Sequence, residues 1–334
     1  MPVSLDDFLR LRQQLPVVDV RSEGEYASGH IRGVMNIPIL NNSERAQVGT
    51  DYKQKGQAEA IKTGFRLVGP RLLDIINETE KVGREILVHC WRGGMRSNNF
   101  CQFVNMARIK AQSLTGGYKA YRQRALDTFQ QPFSFRIIGG FTGSGKSEIL
   151  RAMKQQGAQV IDLEALANHR GSAFGALLLP PQPTTEQFQN ELFEELLTLN
   201  VTKPIWIEDE SIAIGKVFIP NDFWSTMGKS PVIEMEVDKP TRIQRLVDEY
   251  GPSDREEFLK AMENITKKLG GQHLKAAKEK LSADDMYGTI EILLTYYDKA
   301  YNTGLERKKN RIVKRVPWDG ASASEVAQRI LSEK

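Results

Sequence analysis

The chain has 334 residues, 40% of them hydrophobic and 26% charged, which fits about two domains and excludes intrinsic disorder. Its formal net charge of +4 is compatible with a polyanionic partner but does not by itself indicate one. The two cysteines exclude a disulfide framework, and no apolar run approaches the ~18 residues of a membrane span, so we expect a cytoplasmic protein without a membrane partner.

The first region, residues 1–130, has the pattern of a parallel α/β sheet. Residues 15–20 (LPVVDV) and 85–89 (EILVH) are predicted strands, and residues 97–109 have helical spacing. Residues 41–63 are polar with little periodicity, so we expect a long loop or short helices there.

Residues 18–38 read VDVRSEGEYASGHIRGVMNIP and contain, in order, the motifs D-x-R, E-Y, G-H-I-x-G and N-I-P. These motifs resemble the rhodanese family. The resemblance implies a rhodanese-like parallel-sheet domain in which four polar residues are architectural rather than catalytic: Asp19, Arg21, Glu25 and His30.

A loop of special residues, HCWRGGMRS at 89–97, follows the second strand. Its backbone N–H groups, the start of the next helix and two arginines favour the thiolate of Cys90 over the thiol. The rhodanese resemblance also places the nucleophile there, so we predict that Cys90 is catalytic; a buried inert cysteine is the alternative. Two glycines allow the loop to bend, and we expect Ser97 to cap the helix. The residues predicted to hold an anion around the thiol are Arg92, Gly93, Gly94, Arg96 and Ser97.

The same loop spells His-Cys-x5-Arg-Ser, the signature of protein phosphatases. Cell-cycle phosphatases on the rhodanese fold carry this longer loop, which is sized for a phosphate. A cysteine phosphatase or sulfurtransferase with an accessory nucleotide-binding domain is therefore an alternative function. A scaffold in which both regions only bind anions is a third.

A second α/β region, residues 131–334, begins after a helical stretch at 118–129. Strands alternating with helices predict a doubly wound P-loop domain, and the lysine-rich stretch from about 254 to 302 predicts a helical extension. The predicted strands are 135–138, 159–162, 204–207, 232–237 and 311–316, and the other predicted helices include 185–199 and 323–331.

Residues 140–147 read GFTGSGKS, a P-loop pattern directly after a strand and before a helix. Its glycines permit the positive φ values with which backbone N–H groups surround phosphate oxygens. Lys146 supplies charge to the terminal phosphate, and the Ser147 hydroxyl can bind Mg²⁺. A chance glycine-rich turn is the alternative. The predicted phosphate-binding residues are Gly140, Thr142, Gly143, Ser144, Gly145, Lys146 and Ser147.

Polar residues at strand ends and in one helix extend this predicted site. Glu208 and Asp209 end the strand as a Walker B segment does, so either could hold a metal-bound water; a solvated strand end is the alternative. Asp162 closes another strand, where nucleotide kinases contact the acceptor substrate. Arg242 and Arg245 are candidate lid-type phosphate contacts.

The two regions together, with the segments CWRGGMRS, LEALANHRGSAFG and IEDES, resemble the tRNA 2-selenouridine synthase family over essentially the whole chain. The resemblance implies that selenium from selenophosphate replaces the sulfur of a wobble 2-thiouridine in tRNA, through an S-geranylated uridine made from geranyl diphosphate. We expect the P-loop to hold that diphosphate, with no tightly bound cofactor and no resident metal apart from Mg²⁺ beside the phosphates. His169 and Arg170 lie in the second segment and are expected near the active centre.

A tRNA partner requires a cationic surface, because most of the affinity comes from phosphate contacts that release counterions. Two lysine- and arginine-rich stretches qualify, although a solvated helix face is the alternative for each. The candidate tRNA-binding residues are Lys267, Lys268, Lys275, Arg307, Lys308, Lys309 and Arg311.

Overall fold

In a computed structural model, which describes residues 2–332 and all of their side chains except that of Arg307, the chain divides into two units between Thr128 and Phe129. Each unit is built on a parallel β-sheet with helices packed against it. This is the predicted α/β fold class.

The first unit has a four-stranded parallel sheet in the order β2-β1-β3-β4. Its strands are Val17–Asp19 (β1), Met35–Asn36 (β2), Glu85–His89 (β3) and Lys110–Ser113 (β4). Its helices are Leu5–Leu11 (α1), Glu23–Ser28 (α2), Asn42–Lys55 (α3), Gln57–Val68 (α4), Leu72–Val82 (α5), Met95–Met106 (α6) and Gly117–Thr128 (α7), with a 3-10 turn at Gly69–Arg71.

The stretch expected to be a loop or short helices instead forms the two long helices α3 and α4. The side chain of Asn41 accepts a hydrogen bond from the Glu44 N–H, which starts α3 despite its polar sequence. α4 buries Ala60, Thr63 and Val68 against the core. The strands β2 and β4 were not predicted, because both lie at the edges of the sheet and neither needs an apolar run.

The second unit has a five-stranded parallel sheet in the order β11-β10-β5-β7-β6, and a separate two-stranded antiparallel ribbon, β8-β9. Its strands are Phe135–Gly140 (β5), Val160–Ile161 (β6), Ile205–Glu208 (β7), Ala213–Ile214 (β8), Val217–Phe218 (β9), Val232–Glu236 (β10) and Ile312–Pro317 (β11). Its helices are Lys146–Gln155 (α8), Leu163–Ala167 (α9), Thr185–Leu197 (α10), Asn221–Met227 (α11), Lys239–Tyr250 (α12), Arg255–Asn264 (α13), Thr266–Leu269 (α14), Gly271–Ser282 (α15), Met286–Lys308 (α16) and Ala323–Ser332 (α17), with a 3-10 turn at Lys309–Arg311.

The lysine-rich stretch forms the helical extension that the sequence predicts, as helices α13 to α16. These helices share an apolar core with α12, centred on Phe258, Met262 and Leu294, and the lysines lie outside it. Tyr296 and Tyr297 pack against the same core.

Candidate functional site

Cys90 is the first residue after β3 and is only 3% exposed. Its Sγ lies 3.2 Å from the Oγ of Ser97, and the same hydroxyl donates to the carbonyl of Gly94 at 3.2 Å. Helix α6 begins at Met95 with Gly94 at the N-cap, so the prediction that Ser97 caps the helix is wrong. Ser97 is the third residue of the helix, and its hydroxyl contacts the thiol from the first turn. A side chain at Gly94 would meet open space.

The loop packs against a turn at residues 114–117 that the sequence analysis missed. Gly93 has φ +64°, and a Cβ there would collide with the carbonyl oxygen of Leu114. Gly117 has φ +57°, and a Cβ there would collide with the carbonyl oxygen of Cys90. Both positions therefore require glycine. The available signal was the pair Gly116 and Gly117, two residues after the end of β4.

The two arginines of the loop differ in their surroundings. Arg92 is exposed, whereas the two terminal nitrogens of Arg96 donate to the carboxylate of Glu25 at 2.6 and 3.1 Å. Burial acts to raise the pKa of Glu25, but the ion pair with Arg96 outweighs it and the pKa lies below its ordinary value. The prediction that both arginines hold the anion is thus corrected for Arg96, because its guanidinium is already bound by Glu25.

A buried polar network lies next to Cys90, and it contains two of the architectural residues that the rhodanese resemblance implied. Arg21 is 1% exposed, binds Asp19 at 2.6 Å and stacks 3.9 Å from the ring centre of Tyr118. His89 is fully buried beside Asp19, and burial lowers its pKa. His30 stacks on Tyr26 with 3.9 Å between ring centres. These groups fix the sheet end that carries the thiol.

The P-loop connects β5 to α8 in the second unit. Gly143 and Gly145 have φ of +81° and +77°, in the left-handed region that favours glycine. A Cβ at Gly143 would lie 2.7 Å from the carbonyl oxygen of Arg242, so the loop also needs glycine for space. Lys146 Nζ donates to the carbonyl of Gly140 at 3.4 Å. The positive φ values at these glycines are the backbone angles that the motif predicts.

A cleft of about 980 Å³ opens at the P-loop. Ser144 is 1% exposed and does not line it. The predicted residues that do line it are Gly140, Thr142, Gly143, Gly145, Lys146, Ser147, Arg170, Asp209, Arg245, Lys308 and Arg311. Residues that the sequence analysis missed there include Arg151, Glu164, Glu210 and Tyr301.

The carboxylates near the cleft differ in whether they line it. Glu208 is fully buried, accepts a hydrogen bond from the Glu164 N–H at 2.8 Å, and has its pKa raised by burial and by Asp162. Asp162 caps α9 by accepting from the Ala165 N–H at 2.8 Å. Neither residue lines the cleft, so of the two residues predicted to hold a metal-bound water only Asp209 lies there, and Asp162 serves as a helix cap.

Glu210 and Asp209 line the cleft itself. Burial, and then the neighbouring Glu164, raise the pKa of Glu210 to about 8. Asp209 forms an ion pair with Lys308. Ser147 Oγ donates to Glu164 at 2.6 Å, so the P-loop serine and this carboxylate are direct neighbours.

The two arginines predicted as lid contacts have different roles. Arg242 is 5% exposed, binds both oxygens of Asp298 at 2.7 and 2.8 Å, and donates to the carbonyl of Thr142 at 3.2 Å. It therefore supports the P-loop from below and is not a lid, which corrects the prediction. Arg245 lines the cleft, stacks 3.6 Å from the ring centre of Trp318 and donates to Ser144 O at 3.1 Å.

His169 and Arg170 also differ in whether they line the cleft. His169 is 7% exposed, and burial lowers its pKa. It does not line the cleft itself, but its backbone N–H donates to the carbonyl of Glu164, which does, at 3.0 Å. Arg170 lines the cleft, with its guanidinium held by the carbonyl of Leu177 at 2.8 Å and by Glu249.

The candidate tRNA-binding residues occupy two kinds of position. Lys308 and Arg311 lie inside the cleft, where Arg311 donates to the carbonyls of Met227 and Ser230 at 2.9 and 3.0 Å, so they do not form an outer cationic surface as expected. The side chain of Arg307 lies outside the described part of the structure. The candidates with exposed side chains are Lys267, Lys268, Lys275 and Lys309.

Within residues 2–332, no helix is long and apolar enough to cross a membrane. No group of three or more His, Cys, Asp or Glu side chains in this part of the chain is arranged to hold a metal ion.

Known proteins match both units. Residues 4–124 match the rhodanese-like domain family, and residues 133–330 match the tRNA 2-selenouridine synthase AAA domain family. A tRNA 2-selenouridine synthase from Nitrosomonas europaea is 31% identical over 92% of this chain and 94% of its own length. Those from Bdellovibrio bacteriovorus and Marinobacter nauticus are 35% and 32% identical, over 89% and 93% of this chain and 90% and 94% of their own lengths. The chain therefore belongs to the tRNA 2-selenouridine synthase family.

Proposed function

We propose that this protein is a tRNA-modifying transferase that replaces the sulfur of wobble 2-thiouridine with selenium. Selenophosphate is the selenium donor, and S-geranyl-2-thiouridine, made from geranyl diphosphate, is the intermediate. The observation that carries the proposal is the match to tRNA 2-selenouridine synthases along about nine-tenths of both chains. Two separate loops that are each predicted to bind an anion, one in each unit, fit a reaction with two anionic substrates.

The first reaction takes place in the cleft. The sulfur of 2-thiouridine attacks carbon 1 of geranyl diphosphate, the C–O bond breaks, diphosphate leaves with the bonding electrons, and the base loses its N3 proton. Lys146 and the N–H groups of the P-loop stabilise the charge that develops on the leaving group. Arg151, Arg245 and Arg311, which line the same cleft, add positive charge around it.

Mg²⁺ fits this site as a companion of the diphosphate. Mg²⁺ is usually bound through one or two carboxylates together with substrate phosphates, rather than by a cage of protein groups. The adjacent oxygens of Ser147 and Glu164 are donors of this kind. Bound there, the ion would neutralise charge on the diphosphate.

The second reaction takes place at the Cys90 loop. Selenium of selenophosphate adds to carbon 2 of the base, the geranyl-bearing sulfur leaves as a thiolate, and water cleaves the P–Se bond to release phosphate. Cys90 acts in this step, and Arg92 supplies exposed positive charge for the anionic donor. The cysteine-phosphatase alternative gains no support from Arg96, because that arginine would have to bind two phosphate oxygens and instead binds Glu25.

Separate variants of the two loops test the division of labour. We expect Lys146→Ala to slow geranylation of thiolated tRNA by about 10²-fold or more, the scale of losing a transition-state charge donor. It should leave selenium incorporation into pre-geranylated tRNA unchanged. Cys90→Ala should lose selenium incorporation into pre-geranylated tRNA and should geranylate thiolated tRNA at the wild-type rate.

The controls are matched by position. Lys154→Ala changes an exposed lysine of the same helix α8, and Cys101→Ala changes the buried cysteine of α6. Both should retain both reactions. Geranylation at the wild-type rate by Lys146→Ala, or loss of both reactions in either loop variant, would refute the assignment.

A further inference from the structure

An apolar groove lies in the first unit beside the Cys90 loop. We call it the α3–α4 groove; it has a volume of about 160 Å³, and its walls come mainly from α3, α4 and α6. Around it, Tyr52, Phe65 and Met95 are 59%, 57% and 48% exposed. A cluster of exposed large apolar side chains of this kind marks a binding site more often than chance.

The groove is continuous with the loop that carries the thiol. Met95 and Arg96 belong to the HCWRGGMRS segment and also line the groove. The next residue, Ser97, lies 3.2 Å from Cys90 Sγ. A substrate that reaches the Cys90 loop can therefore extend an apolar tail directly into the groove.

The chemistry of the walls selects a neutral hydrocarbon. The one guanidinium among the groove's lining residues, that of Arg96, is bound by Glu25, and the remaining polar lining groups are the neutral groups of Gln57, Asn99 and Tyr52. An apolar cavity of about 150 Å³ is large enough to bind benzene. A groove of that size, open along one side, accommodates a flexible chain of more carbons.

We propose that the α3–α4 groove binds the geranyl chain of the S-geranylated uridine while carbon 2 of the base lies at the Cys90 loop. This rests on the proposed function and adds a specificity site to its second reaction. The groove retains the intermediate for selenium transfer, and 2-thiouridine, which lacks the chain, is not held there.

Two helical glycines provide a matched pair of variants. Gly64 lines the groove on α4, and a Cβ there meets no atom within 4 Å, so Gly64→Leu fills the groove without a backbone clash. Gly49 on α3 has the same open surroundings but does not line the groove, so Gly49→Leu is the control. Phe65→Ser is a second variant that removes an exposed wall rather than filling the space.

The experiment uses the full chain with selenophosphate and tRNA that carries either S-geranyl- or S-methyl-2-thiouridine. Each buried methylene contributes about fourfold in affinity, so loss of two or three of them predicts a KM at least about tenfold higher for the geranylated substrate in Gly64→Leu. Phe65→Ser should shift it in the same direction. The S-methyl substrate, geranylation in the cleft and the Gly49→Leu variant should be unaffected.

Binding of the S-geranyl-2-thiouridine nucleoside, measured by calorimetry against 2-thiouridine, separates this inference from the proposed function. Tighter binding of the geranylated nucleoside that is lost in Gly64→Leu would support the groove even if no selenium transfer occurred. A geranyl-to-methyl KM ratio equal to the wild-type ratio in Gly64→Leu and Phe65→Ser would overturn it. An equal rise in the KM of both substrates would also overturn it. An unchanged KM ratio together with an altered oligomeric state would overturn it too, because that result would identify the groove as an interface between copies.

Discussion

Glu210 is a carboxyl group at the wall of the cleft whose charge depends on pH near neutrality. Its carboxyl packs so closely on Gly171 that a Cβ there would lie 2.7 Å from Glu210 Oε1. Burial, with Glu164 and Asp209 nearby, raises the pKa of Glu210 to about 8, and Lys146 only partly offsets this. At neutral pH the carboxyl is therefore protonated, and the cleft can take an anion beside Lys146 without repulsion from Glu210.

Glu210→Gln tests this account through the pH dependence of geranyl diphosphate binding. In the wild type, affinity should fall as pH rises through about 8, because the ionised carboxylate repels the diphosphate. The loss is on the order of tenfold, since two like charges about 10 Å apart interact by about 1.7 kcal/mol at an effective dielectric constant of 20. In Glu210→Gln this loss should be absent when binding is measured by calorimetry between about pH 6.5 and 9.

The same shift affects folding with a definite sign. Because the pKa in the folded state lies above the ordinary value of 4.5, the native state holds this proton longer than the unfolded state does. The contribution of Glu210 to the free energy of unfolding is thus present below about pH 4.5 and lost as pH rises to about 8.

In the binding experiment, a fall in diphosphate affinity with rising pH that persists in Glu210→Gln would exclude Glu210 as its source.

Local spacing identifies the residues that belong to a motif, but not their distant partners. Cys90 and Lys146 could be found from a strand, a loop and a helix that are contiguous in the chain. Arg96 could not be assigned correctly, because the carboxylate that binds it is 71 residues away in the sequence. Arg242 could not either, since Asp298 is 56 residues away and only the packing of α12 against α16 brings the two together.

At the scale of elements, periodicity predicts the strands and helices that carry a regular apolar pattern. It misses the elements whose formation depends on tertiary contacts. The central strands β3 and β5 carry apolar runs and were predicted close to their observed bounds. The edge strand β4 (KAQS) and the polar helix α3 lack such patterns, and the sheet edge and an Asn41 cap determine them instead. The α3–α4 groove was therefore invisible to the sequence analysis.

The exposed lysines of α14 and α15 give a prediction about tRNA affinity. Each phosphate contact contributes about 0.7 to 0.9 to the slope of log affinity against log salt concentration. Replacing Lys267, Lys268 and Lys275 by alanine should therefore lower the magnitude of that slope by about 2, with weaker binding at low salt. Filter binding over a salt series measures both.

The control replaces Lys278 and Lys280, whose ammonium groups are engaged by Glu263 at 2.7 Å and Asp285 at 2.9 Å. Their loss should change the slope much less, because these charges are already neutralised within the protein. Equal slopes for the wild type and the Lys267/Lys268/Lys275 variant would remove this helical surface from the tRNA interface.

At the scale of the whole molecule, both units contain the same strand–loop–helix arrangement. A central strand of a parallel sheet ends in a loop of glycines and cations, and a helix begins directly after it, as at β3–α6 and β5–α8. Such loops lie at the carboxyl edge of the sheet, where α/β folds bind their ligands. We propose that these two loops perform successive reactions on one base.

Mass spectrometry of nucleosides from 2-thiouridine tRNA, incubated with the protein, geranyl diphosphate and selenophosphate, tests that claim most directly. With both substrates we expect 2-selenouridine; without selenophosphate, S-geranyl-2-thiouridine should accumulate; without geranyl diphosphate, 2-thiouridine should remain. Formation of 2-selenouridine in the absence of geranyl diphosphate, or unchanged 2-thiouridine when all components are present, would contradict the account.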